Sequence, residues 1–188
     1  STLLVPPVKG IEKEGILRSI ITQNIDNLHQ KSGSRSVIEL HGNAFRIRCM
    51  QCKRTIVFEK DRLKEMLDSL KANKDSYIGL LKILSRYFPR CSCGSRFRLD
   101  IVLFGEILSQ DELSQAYRQL DNCTVLLLIG TSLVIYPAAN LPLYAKERNV
   151  KLIEINSQPS ALTDFCDYKI TGRASEILPE ILDVLGYA

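Results

Sequence analysis

Two kinds of run alternate along this chain. Short apolar runs end in turn residues, and longer stretches carry apolar side chains three and four positions apart. The short runs predict strands at Ile20-Ile21-Thr22, Val37-Ile38-Glu39-Leu40, Ile101 to Phe104, Val125 to Ile129, Lys151 to Ile155 and Tyr168 to Thr171. Val125 to Ile129 is continuously apolar, the pattern of a strand covered on both faces. The longer stretches predict helices at Ile11 to Ser19, Gln110 to Leu120, Ala138 to Arg148 and Ala174 to Leu185, with Pro137 opening the third. A brief helix capped by Asp26 ends near Gly33, where glycine tolerates a left-handed backbone. Strands alternating with helices give an α/β fold with a doubly wound parallel sheet.

Residues 45–98 break this rhythm. Arg46 to Phe58 suggests a small β element, followed by two helices at Asp61 to Leu70 and Ser76 to Tyr87. Leu63, Leu67 and Leu70 form one apolar stripe, and Leu80, Leu81, Leu84 and Phe88 another, so the two helices are expected to pack through them on each other or on the main domain. This segment holds 14 Lys and Arg against 5 Asp and Glu, net +9, whereas the remainder is net −5. The excess reads as Lys- and Arg-rich helices with a solvated face, since no aromatic residues interleave with the basic ones as on a nucleic-acid platform; the alternative is that this module meets an acidic partner.

Composition narrows the class. The chain has 188 residues, 45% of them hydrophobic, which suits a globular domain with a small appended module. No apolar run reaches the roughly 18 residues of a membrane helix, and Ser1 to Pro7 lacks the basic start of a signal peptide. Cysteines in close pairs without a secretion signal suggest metal ligation in a reducing, intracellular compartment, cytoplasmic or nuclear.

Cys49-x-x-Cys52 and Cys91-x-Cys93 lie 38 residues apart, and four thiolates satisfy tetrahedral zinc. The alternative is two unrelated thiol pairs. All-cysteine ligation leaves no open position, so the ion would be structural. Gly130-Thr131-Ser132 follows the most apolar strand and Asn156 ends another. In doubly wound sheets ligands bind beyond such carboxyl ends, although an ordinary strand-to-helix turn has the same look. Gln23, Asn24 and Asp26 follow a third strand and suit an amide-bearing ligand, or else an Asp cap beside two exposed amides. Of the two histidines, His41 sits at a strand-to-loop junction where a general base can face a cleft, while His29 reads as structural.

Together these segments resemble the sirtuins, the NAD-dependent protein deacylases. The matching residues are T-Q-N-I-D-N-L-H at Thr22 to His29, E-L-H-G-N at Glu39 to Asn43, C-M-Q-C, C-S-C-G, D-I-V-L-F-G-E at Asp100 to Glu106, I-G-T-S-L-V-I-Y-P-A-A at Ile129 to Ala139, I-N-S at Ile155 to Ser157 and G-R-A-S-E-I-L-P at Gly172 to Pro179. The resemblance implies a Rossmann-like NAD-binding domain from residues 1–44 and 99–188, and a zinc-binding module with a helical insert from residues 45–98. It implies that Gln23, Asn24, Asp26, Gly130, Thr131, Ser132, Asn156 and Ala174 hold NAD as co-substrate. It also implies that Val102, Leu103, Phe104, Gly105 and Glu106 pair with an acyl-lysine peptide as an added strand. In the family's reaction the acyl oxygen attacks the ribose carbon and nicotinamide leaves. His41 then activates a ribose hydroxyl, giving free lysine and O-acyl-ADP-ribose. The family's glycine-rich G-A-G-x-S segment is not among these residues, and Leu99 stands where proline is usual. The alternatives are a zinc-containing binding or scaffold module without catalysis, or ADP-ribosyl transfer to protein.

Overall fold

The computed structural model describes residue 12 and residues 16–58, 60–103 and 105–186. In chain order the first elements are β1 (Ile20–Thr22), α1 (Leu28–Lys31), β2 (Val37–Glu39), β3 (Gly42–Cys49), β4 (Thr55–Val57), α2 (Lys60–Ala72), α3 (Tyr77–Tyr87) and β5 (Phe97–Ile101). They are followed by α4 (Gln110–Leu120), β6 (Val125–Ile129), α5 (Asn140–Glu147), β7 (Lys151–Asn156), β8 (Tyr168–Thr171) and α6 (Ala174–Val184). The chain forms two compact units. One comprises Ser1–Asn24, Leu28–Leu40 and Glu106–Ala188, and the other Ile25–Asn27 and His41–Gly105.

The first unit is built on parallel strands. β1 pairs with β2, and β6, β7 and β8 form a second parallel sheet in that order. Parallel neighbours need a crossover, which α1, α5 and the turn at Thr163–Phe165 supply. β7 is paired on both edges, and its Leu152 and Ile155 are fully buried. Ala116 of α4 and Ala145 of α5 are also fully buried; having no side chain beyond Cβ, they let their helices pack closely.

Asp167 fastens the start of β7. Its carboxylate accepts from Lys146 Nζ at 2.8 Å, from the Leu152 amide at 2.9 Å and from Lys151 Nζ at 3.2 Å. The Lys146 ammonium, aided by the Leu152 N–H, holds this carboxyl well below the usual carboxylate range. Tyr144 spans α5 and α4: its hydroxyl donates to Asp121 at 2.6 Å, and its ring packs edge-on against Tyr117 at 4.6 Å.

The second unit is antiparallel, with strand order β4-β3-β5. A bulge in the β3–β5 ladder between Asn43 and Ile47 shifts the register. The core gathers Ile47, Phe58 and Phe97 from the sheet region, Met66 from α2, and Ile83 and Tyr87 from α3. Phe88 meets Phe58 edge to face at 6.3 Å.

The structure departs from the sequence reading at several elements. Residues 16–19 are not helical, and residues 11 and 13–15 of that expected helix lie outside the described residues. Asp26 sits in a bend, and α1 begins only at Leu28 after Asn27, whose φ is +61°. The strand expected at Ile101 to Phe104 ends at Ile101, because its ladder with β3 runs out at the Gly42–Ile101 pair. α5 starts at Asn140 rather than behind Pro137, after a turn in which the Ala139 amide bonds Ile135 O. β6 alternates: Leu128 is buried, whereas Val125 and Leu127 are exposed. With Val125 and Leu127 exposed, the apolar run of β6 does not report cover on both faces. The helical stripes hold in part: Leu63 and Leu70 of α2 and Phe88 after α3 pack against the core in which Met66, Ile83 and Tyr87 are buried, whereas Leu67, Leu81 and Leu84 are exposed.

Candidate functional site

In the first unit, hydrogen bonds tie the carboxyl ends of β6, β7 and β8 together. Ile129, Ile155 and Ile170 lie in register across the three strands. Beyond them the Gly130 amide donates to Ile155 O at 3.1 Å, and the Gly172 amide donates to Asn156 O at 3.0 Å. Gly130 has a φ of +56°, in the left-handed region that favours glycine. Thr131 and Ser132 follow directly. The Thr131 hydroxyl accepts from the Leu133 amide at 3.3 Å, and Ser132 O accepts from the Ala161 amide at 3.0 Å. Gly130, Thr131, Ser132 and Asn156 are thus brought together, and Ala174 opens α6 two residues after Gly172.

Asn156 is engaged through its side chain. Its Nδ2 donates to Thr131 O at 2.9 Å and its Oδ1 accepts from the Ser157 amide at 3.0 Å. The side chain therefore braces the loop after β6. Gln23 and Asn24 follow β1 in the same unit, both half-buried, and the Asn24 amide donates to the buried Thr22 hydroxyl at 3.1 Å. Asp26 belongs with the second unit, in the segment where Ile25 O accepts from the Ala44 amide at 2.9 Å.

In the second unit, His41 is half-buried and immediately precedes β3. Its carbonyl accepts from the Val102 amide at 2.9 Å, joining the candidate base to the start of the candidate peptide edge. Leu103 is exposed, Gly105 has a φ of +85° with open space around it, and Glu106 is exposed. Phe104 lies outside the described residues.

Two features beside His41 were not singled out from the sequence. Gly42 has a φ of +79°, and a Cβ there would lie 2.0 Å from Asp100 O. Buried Asp100 pairs with Arg46 and with Arg48, whose Nε lies 2.6 Å from Asp100 Oδ1. The glycine after the histidine was visible in E-L-H-G. The partnership of the two arginines with Asp100 depends on a register that spacing does not give.

The four paired cysteines converge, with all four sulfurs within 4.8 Å of one another. Cys49 Sγ lies 3.5 Å from Cys93 Sγ, and Cys52 Sγ lies 3.5 Å from Cys91 Sγ. These separations exceed a disulfide bond of about 2.05 Å. They suit a tetrahedron with Zn–S of about 2.3 Å, whose S···S edges are about 3.8 Å. Two tight turns present the thiols: the Cys49 amide donates to Arg54 O at 2.8 Å, and the Cys91 amide donates to Ser95 O at 2.8 Å. Lys53 and Gly94 take the left-handed conformations these turns require. Burial acts to raise the Cys49 thiol, but the Gln51 and Cys52 N–H groups and the neighbouring thiols outweigh it and bring it down to about 6. At Cys52 the Arg54 backbone acts downward, but the proton shared with Cys49 and Cys91 leaves it raised to about 11. The donor set fits a structural zinc ion.

A parallel α/β unit with stitched strand ends and an antiparallel unit carrying four convergent thiols define an α/β protein with a module fit to hold a metal ion. A family model described as the Sir2 family matches residues 7–137, and the chain belongs to that family, the sirtuins. It is 43% identical over 175 residues to an NAD-dependent protein deacylase of Pyrococcus furiosus, covering 92% of this chain and 63% of that protein. It is 40% identical over 174 residues to another from Thermococcus kodakarensis, covering 92% of this chain and 62% of that one. The chain thus spans somewhat less than two thirds of these relatives. Among solved structures, it matches Sir2Tm bound to a propionylated peptide with a TM-score of 0.74 at 30% identity, covering 97% of this chain and 72% of that one. It also matches a Sir2 homologue–NAD complex with a TM-score of 0.71 at 36% identity, covering 93% and 60%.

Proposed function

We propose that the protein carrying this chain is an NAD-dependent protein lysine deacylase. The observation that carries the reading is the 2.9 Å bond from the Val102 amide to His41 O, which fixes a candidate base and a candidate peptide edge on one unit. Relatives named NAD-dependent protein deacylases, and a Sir2 structure holding a propionylated peptide, support it.

In this reading Gly130, Thr131, Ser132, Asn156 and Ala174 receive the nucleotide, and Gln23, Asn24 and Asp26 the nicotinamide end. NAD supplies the ribose carbon to which the acyl group is handed as nicotinamide departs. His41 accepts the proton of a ribose hydroxyl as general base. Val102 to Glu106 offer backbone groups to the acyl-lysine segment as an added strand. One water is consumed, and free lysine, nicotinamide and O-acyl-ADP-ribose are released. Cys49, Cys52, Cys91 and Cys93 hold a structural zinc ion. A reducing, intracellular compartment, cytoplasmic or nuclear, is the reading that paired zinc-binding cysteines support.

Product identification tests the reading. With an acetyl-lysine peptide and labelled NAD, mass spectrometry is expected to find label in O-acetyl-ADP-ribose, and none after His41→Ala. Label attached to protein with the peptide still acylated would instead establish ADP-ribosyl transfer.

A further inference from the structure

We propose that Glu154 is a positioning residue: acting through Thr163, it sets the loop of residues 130–132 for the nucleotide. The proposal rests on the reading of that loop given above. Glu154 lies inside β7, the strand paired on both edges, and is 4% exposed. Its Oε2 accepts from the Thr163 hydroxyl at 2.6 Å. Its Oε1 is buried and makes no hydrogen bond among the described residues. A carboxyl kept in the interior with half of its bonding capacity unused costs stability. Stability alone therefore does not account for an acid at this position, and what the side chain contributes is its bond to Thr163.

That bond has a fixed direction. Thr163 Oγ1 already accepts from the Ser160 amide at 2.7 Å, so its one proton is available to Glu154. Within the same turn the Leu162 amide donates to Ser160 Oγ at 3.3 Å, and the Thr163 amide donates to Ser160 O at 3.3 Å. The N–H groups of Ser160, Leu162 and Thr163 are thus used inside residues 160–163. The Ala161 N–H points out of the turn and donates to Ser132 O at 3.0 Å. Glu154 closes a turn whose outward amide holds Ser132. Asn156, two residues further along β7 and so on the same face of the strand, holds Thr131 O at 2.9 Å. One face of β7 fixes two consecutive residues of the loop, Asn156 directly and Glu154 through the turn. Removing either end of the Glu154–Thr163 bond frees the turn and leaves Ser132 O without a fixed donor. The nucleotide then has to order the loop as it binds, and affinity falls in a protein that remains folded.

The test is calorimetric titration of the intact protein carrying this chain with ADP-ribose, alongside hydrogen exchange of the Ala161 amide. Thr163→Val and Glu154→Leu each remove one end of the bond. Each should weaken ADP-ribose binding about tenfold, the worth of one well-placed hydrogen bond. Each should also speed exchange at Ala161 while the β7 amides stay protected. Thr163→Ser returns the hydroxyl and should restore both readouts. The double variant should bind no more weakly than either single one, because both act through the same bond. Tyr144→Phe removes a hydroxyl bond to Asp121 elsewhere in the unit and should leave affinity unchanged. Undiminished affinity in Thr163→Val, additive losses in the double variant, or no rescue by Thr163→Ser would overturn the proposal while leaving the nucleotide reading intact. No ADP-ribose binding by the unaltered protein would sink that reading and the proposal with it.

Discussion

Gly42 couples conformation to close approach. Its backbone sits at φ +79°, and any added Cβ would meet Asp100 O at 2.0 Å. Gly42→Ala must therefore move β3 away from β5 next to His41. The expected cost is about 2 kcal/mol or more, read as a lower urea midpoint. Glycine at this position was legible in the sequence, but its reason was not, because the neighbouring carbonyl arrives from more than fifty residues away. Asp167 makes a prediction of opposite visibility, since nothing in the sequence marked it. Its folded pKa lies below its unfolded value, first because of Lys146 and then the Leu152 amide. A depressed carboxyl stabilises the fold above its unfolded pKa, about 3.9, and loses that contribution as pH falls further. Stability should therefore drop as pH decreases below about 4. Asp167→Asn should be less stable at neutral pH and show a shallower acid limb in unfolding followed by circular dichroism.

Strands and helices that satisfy their own local signals were read closely from sequence. α4 and α6 carry one apolar face and acidic residues in their first turns, and β8 is a short apolar-containing run; all three lie within one residue of expectation. α2 and α3 were found, but only part of each expected stripe packs inward: Leu63, Leu70 and Phe88 meet the core, while Leu67, Leu81 and Leu84 are exposed. Apolar residues occur on more than one side of each, so periodicity locates a helix without saying which stripe is covered. Only the packing of Met66, Ile83 and Tyr87 around Phe58 decides it. The two thiol turns were legible as a pair because C-x-x-C and C-x-C are local, and the helical insert between them brings the chain back. Elemental analysis should find about one zinc per chain, falling in Cys52→Ala. Chelation should loosen the second unit, seen as faster proteolysis within residues 45–98. An unchanged digestion pattern in the metal-free protein would show that the thiols are not its structural clip.

The α/β class and the family were legible because eight short motifs occur in order. The arrangement that joins them was not, because it depends on contacts far apart in sequence: Thr131 with Asn156, Asn156 with Gly172, and His41 with Val102. Several residues read as ligands in sequence are also braces. Asn156 spends both ends of its amide on the protein, so Asn156→Ala should weaken nucleotide binding chiefly by loosening the Thr131 loop. Calorimetric titration with ADP-ribose would show this as reduced affinity, accompanied by a lower melting temperature that a ligand contact alone would not produce. Deacylation coupled to NAD cleavage is the central claim, and its most direct measurement is stoichiometry. Free lysine peptide and nicotinamide should be quantified together during turnover of an acyl-lysine peptide with NAD. Equal amounts of both, abolished by His41→Ala in a protein that still melts normally, are predicted. Peptide deacylated without nicotinamide release, or both persisting unchanged in His41→Ala, would contradict it.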